Sequence, residues 1–174
     1  MPDPAAEKEF INICKRAGER VLAKLEPSVS TRLKLGNKSL QDKKPNVMLF
    51  GIQDLEKGKA FWHAQYTAYQ FGCELSMGNE KIWHVRFLVH RDRKESGNNT
   101  YRRDLDRIFS KEGKFLQESK LQPMFSLESN DDVYNLTSSF REGGDYGVHE
   151  LVVRMTPLID KLHPVLLGML GIRL

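Results

Sequence analysis

Residues 73–90 read CELSMGNEKIWHVRFLVH, and this stretch decides the fold. Cys73–Met77 and Lys81–His90 flank Gly78-Asn79-Glu80, a turn-forming triplet, so the two arms predict an antiparallel hairpin. In the second arm Trp83, Val85, Phe87 and Val89 alternate with Ile82, His84, Arg86, Leu88 and His90. A period of two sends the sets to opposite faces of a strand. The first set is core, and the second belongs to the other face.

Upstream, Pro4 suits a first helical turn with Asp3 as its cap, and Phe10, Cys14, Ala17, Val21 and Leu25 recur at helical spacing. Pro27 stops that helix. Val29, Thr31, Leu33 and Leu35 then alternate with Ser30, Arg32 and Lys34, which predicts a half-buried strand with a basic outer face. Gly36–Pro45 reads as a loop, and Val47–Phe50 as a short strand. Residues 54–70, carrying Phe61, Trp62, Tyr66 and Tyr69, are read as a helix, although their aromatic density also suits a strand.

Downstream, Arg91–Thr100 has loop composition, and residues 101–119 predict a helix with Leu105, Ile108, Phe109 and Leu116 inward. Residues 124–127 suit a short strand. Asn130 is placed as the cap of a helix bearing Val133, Leu136, Thr137 and Phe140. Tyr146–Met155 reads as a last strand, with Leu151-Val152-Val153 buried. Thr156 and Pro157 then open a closing helix whose apolar stripe runs from Leu158 to Leu170. The expectation is one α+β domain over residues 1–174. It has a mainly antiparallel mixed sheet of about five to six strands, with helices packed mostly on one face. The other face is left to solvent or a partner. The abrupt end at Gly171-Ile172-Arg173-Leu174 fits a domain excised from a longer protein.

Composition narrows the function classes. Of 174 residues 40% are hydrophobic and 29% charged, an ordinary globular balance. No apolar run reaches the ~18 residues of a membrane span, which argues against a membrane partner. Two cysteines, Cys14 and Cys73, cannot build a disulfide framework, and no charged leader precedes an apolar run. A cytoplasmic or nuclear setting follows as the expectation. No Walker loop, G-x-G-x-x-G, C-x-x-C or G-x-S-x-G occurs, so no nucleotide cradle, closed zinc site, cofactor or catalytic nucleophile is assigned. His90-Arg91-Asp92 resembles the catalytic-loop triplet of protein kinases, but Gly97 stands where that loop needs Asn, and its companion motifs are missing.

The net charge is +4, and it is unevenly spread. Residues 57–107 carry ten bases and six acids, whereas residues 108–155 carry five and eight. Lys and Arg neutralise phosphates, and aromatic rings stack on splayed bases. If the strand at 29–36 and the strand at 81–90 share a sheet, Arg32, Lys34, His84 and Arg86 lie on one exposed face. Arg91, Arg93 and Lys94 would extend it, with Trp62 and Tyr66 as stacking groups. The leading expectation is therefore a non-enzymatic nucleic-acid-binding module. One alternative is a metal-dependent phosphodiester hydrolase drawing on Glu56 or Glu80 beside a lysine near predicted turns, or on Glu74, which lies in a strand without a lysine partner. The other is a protein-interaction or homodimer module using the apolar C-terminal helix.

Overall fold

Helix α1 (Pro4–Lys24) begins on a proline whose missing N–H costs nothing in a first turn. It buries the stripe Phe10, Ile13, Cys14, Ala17, Val21 and, just past its end, Leu25. That stripe meets an antiparallel sheet. The computed structural model describes residues 4–27, 33–38, 47–54, 59–60, 69–77, 80–91, 99–110 and 114–169. Its further elements are β1 (Leu33–Lys38), β2 (Val47–Asp54), β3 (Lys59–Ala60), β4 (Tyr69–Met77), β5 (Lys81–His90), α2 (Asn99–Ile108), α3 (Phe115–Glu118), β6 (Ser126–Ser129), β7 (Val133–Arg141) and α4 (Asp145–Met169). The strands run in the order β1-β2-β4-β5-β7-β6, with β3 beside β2.

The hairpin β4–β5 is the centre of the sheet. Its register pairs Phe71 with Phe87, Cys73 with Val85 and Leu75 with Trp83. On the other side of β5, Trp83 pairs with Phe140 and Phe87 with Leu136. All of these are buried, on the one face that the helices cover. Phe10 of α1 stacks on Trp83 at 5.3 Å, Phe109 after α2 stacks on Phe87 at 5.9 Å, and His163 of α4 meets Phe71 edge-on at 6.0 Å. Burying one such aromatic side chain contributes roughly 1.5–3 kcal/mol, so this layer dominates the stability.

Two stretches correct the sequence reading. Val133–Arg141 is a strand, not a helix. Tyr134, Leu136, Ser138 and Phe140 are buried at period two, and the whole segment pairs with β5. Asn130 caps no helix. Its Oδ1 accepts from the backbone N–H of Asp132 and of Val133, closing the β6–β7 turn. Tyr146–Met155 is helix, not strand, and Pro157 lies inside α4 rather than at its start. Val148, Leu151, Val152, Met155, Leu158, Ile159, Leu162 and Leu166 form one unbroken buried stripe. Burying eight side chains outweighs the cost of the helix bonds lost at Pro157 and Pro164, about 3 kcal/mol each. Gly144, at φ +60°, makes the sharp entry to α4, and its N–H donates to Glu142 Oε1 at 2.6 Å.

Two smaller differences come from pairing with a neighbouring strand, and a third divides a helix. β1 continues through Gly36 to Lys38, where a loop was expected, because Gly51, Phe50 and Leu49 of β2 pair with it there. Lys59–Ala60 and Tyr69–Gln70 are strand rather than helix, and residues 61–68 between them lie outside the described residues. The helix expected over 101–119 divides into α2 and α3. No helix among the described residues is long and apolar enough to cross a membrane.

Candidate ligand-binding face

The alternation that buries Trp83, Val85, Phe87 and Val89 sends Ile82, His84, Arg86, Leu88 and His90 to the face that no helix covers among the described residues, where each is half-buried. Backbone register extends this face across the sheet. Gly36 pairs with Gly51, Gly51 with Gly72, Gly72 with Arg86, Arg86 with Thr137 and Thr137 with Ser126. Three glycines in three adjacent strands therefore stand in one line that ends at Arg86. A glycine inside a strand weakens it and marks a bend or a place where another chain or ligand approaches the backbone closely. A row of them leaves a strip of sheet without side chains, about 10 Å long at ordinary strand spacing. Lys34 pairs with Gln53, two residues from Gly51, so β1 gives Lys34 the same register parity as Arg86.

Beside that strip lies a polar cluster. Arg86 Nη1 sits 3.3 Å from Glu74 Oε2; the Glu74 side chain is only 9% exposed, against 42% for Arg86. A buried carboxylate needs such a partner. Arg86 Nε and Asn135 Oδ1 are buried with no protein hydrogen-bond partner, a donor and an acceptor left over on one face. His84 is held between two hydroxyls, with Nδ1 2.7 Å from Ser139 Oγ and Nε2 3.1 Å from Ser76 Oγ. Burial pushes its pKa down from the ordinary value, as does the neighbouring Arg86 guanidinium, while Glu74 pulls it up. The neutral imidazole is thus favoured, and the only charges in the cluster are those of the Glu74–Arg86 ion pair, which cancel.

The remaining expected site residues fall elsewhere. Arg91 is built into a clasp at the end of β5. Its Nη2 lies 3.0 Å from Asp106 Oδ1, its Nη1 donates to the Asn130 carbonyl at 3.0 Å, and its guanidinium lies 5.0 Å over the Tyr134 ring. The Tyr134 hydroxyl donates to Asp106 as well. Burial and that bond push the Tyr134 pKa up to about 12. Arg32, Trp62, Tyr66, Arg93 and Lys94 lie outside the described residues.

Of the acids considered for a metal, Glu74 is committed to Arg86, Glu80 lies 3.1 Å from Arg141, and Glu56 is outside the described residues. No three His, Cys, Asp or Glu side chains converge among the described residues. Of the apolar stripe of α4, considered for a second copy or a partner, Leu158, Ile159, Leu162 and Leu166 are buried within the molecule, and Leu170 lies outside the described residues. The glycine line was missed in the sequence. Its only trace there is three glycines within or beside apolar runs, at positions 36, 51 and 72, and nothing local sets their register. Comparison with family models, with curated proteins and with solved structures finds no match.

Proposed function

We propose that this chain is a non-enzymatic binding module that grips a nucleic-acid strand on the helix-free face of its sheet. The observation that carries the reading is the in-register line Gly36–Gly51–Gly72 ending at Arg86. The strip gives a sugar-phosphate chain room to approach the backbone. Arg86, with two-fifths of its side chain exposed, meets that chain at one end, and Lys34 shares its register parity from β1. The excess of bases in the first two-thirds of the chain adds the long-range attraction. In this reading Arg91 supports the end of β5 instead of touching ligand, and Glu74 limits affinity by holding Arg86.

The test is fluorescence anisotropy with a fluorescein-labelled twelve-nucleotide strand, titrated at low and at moderate salt. Two phosphate contacts, at Arg86 and Lys34, predict an affinity loss of roughly sevenfold between 50 and 200 mM salt. Arg86→Ala is expected to weaken binding and flatten that dependence. No binding at low salt, or binding indifferent to salt, contradicts the proposal.

A further inference from the structure

The two cysteines lie 59 positions apart in the chain and meet in the core. Cys14 belongs to the buried stripe of α1 and Cys73 to the helix-covered face of β4. Both are free thiols, each 1% exposed, with their sulfurs 3.9 Å apart. That is van der Waals contact, and a covalent bond needs a closer approach of about 2 Å, within reach of side-chain rotation and small backbone shifts. Burial of a lone cysteine is unremarkable. Two on different elements, facing each other across the helix–sheet interface, form a pair placed for one specific bond.

We propose that Cys14 and Cys73 are a latent modification site, closed by peroxide into an intramolecular disulfide that staples α1 to the centre of the sheet. One thiolate attacks hydrogen peroxide and breaks its O–O bond, giving a sulfenic acid and hydroxide, which takes up a proton to become water. The second thiol attacks that sulfenic sulfur, the S–S bond forms and a second water leaves. Two thiols are oxidised by two electrons, and one peroxide is reduced to two waters.

The surroundings set the rate. Burial, and the neighbouring Cys73 thiol, push the Cys14 thiol well above its ordinary pKa, so Cys14 stays protonated and unreactive while α1 is docked. Reaction therefore follows opening of α1 from the sheet. The closed ring spans residues 14–73 and so contains β1, β2, β3 and the first residues of β4, and with them Gly36, Gly51 and Gly72. The cross-link restricts the unfolded chain most when the enclosed loop is long, as it is here.

The experiment is native treatment of the reduced protein with hydrogen peroxide, followed by intact-mass measurement, mapping of linked peptides and thermal melts with and without dithiothreitol. The expected product is a monomer lighter by two hydrogens, with one Cys14–Cys73 linked peptide. Its Tm is expected to rise by roughly 5–10 °C, and dithiothreitol reverses the rise. Cys73→Ala is expected to abolish both changes. Oxygen atoms added to either cysteine without a cross-link, disulfides formed only between molecules, or two thiols still reduced after exposure to peroxide would each overturn the proposal. The wild-type mass readout stands even if the variant folds poorly.

Discussion

The two faces of this sheet are built from the same strands and obey different rules. On one face every position of β5 is apolar and buried, with Trp83 under Phe10 of α1 and Phe87 under Phe109 just after α2. On the other, the interleaved positions of β5 and its neighbours mix Arg86, His84, Glu74 and serines with Ile82 and Leu88, and a line of glycines crosses three strands. The first face holds the molecule together by buried area. The second gives up packing, keeps a buried carboxylate that needs a partner, and leaves polar atoms unsatisfied. An antiparallel sheet can leave one face so, and the proposed reading gives that face to a ligand.

The sharpest way to break this comparison is a pair of truncations on the same strand. Trp83→Ala is expected to cost about 3–5 kcal/mol in guanidinium melts, from lost burial plus the cavity. Ile82→Ala, one residue away on the other face, is expected to cost less than half of that. Equal losses would mean that both faces are core. Next in size is Glu74→Gln, which frees Arg86 from its ion pair. Affinity for the labelled single strand should rise, by roughly three- to tenfold, read by anisotropy at low salt.

A smaller effect separates the Arg91 clasp from the binding face. Tyr134→Phe removes the bond to Asp106 and is expected to cost about 1–2 kcal/mol without altering strand affinity. Its pH signature has a definite sign. The folded state holds the Tyr134 proton up to about 12, and the unfolded state releases it near 10. Wild-type stability from this group is complete below pH 10 and is lost as pH rises through that window, and Tyr134→Phe lacks the loss. The smallest effect belongs to His84, whose pKa is depressed in the fold. Stability is expected to fall as pH drops below the unfolded value near 6.5, because the unfolded state then takes up the proton first. In urea melts across that range His84→Gln should flatten the decline, with Glu74 and Arg86 still in place.

Much of the helix-covered face was legible in the sequence, and little of the other was. The α1 stripe and the alternation of β5 name their own core residues, because one element suffices to read them. Residues 133–140 failed because two periods fit: Val133, Leu136, Thr137 and Phe140 suit a helix, whereas Tyr134, Leu136, Ser138 and Phe140 suit a strand. Pairing with β5, distant in sequence, decides it. Residues 146–157 failed because Leu151-Val152-Val153 carries β-branched character and Thr156-Pro157 imitates a helix start. The buried stripe of α4 overrides both. At the candidate site, the parity of His84 and Arg86 was readable within one strand. Their relation to Gly36 and Gly51 was not, because register between strands is a tertiary property.

The most direct test is an amide chemical-shift titration of the folded protein with a twelve-nucleotide single strand at low salt. Shifts concentrated at Gly36, Gly51, Gly72, Arg86 and Thr137, fading as salt is added, are the result this account requires. Shifts confined to α1 and α4, or none at any ratio, would contradict it.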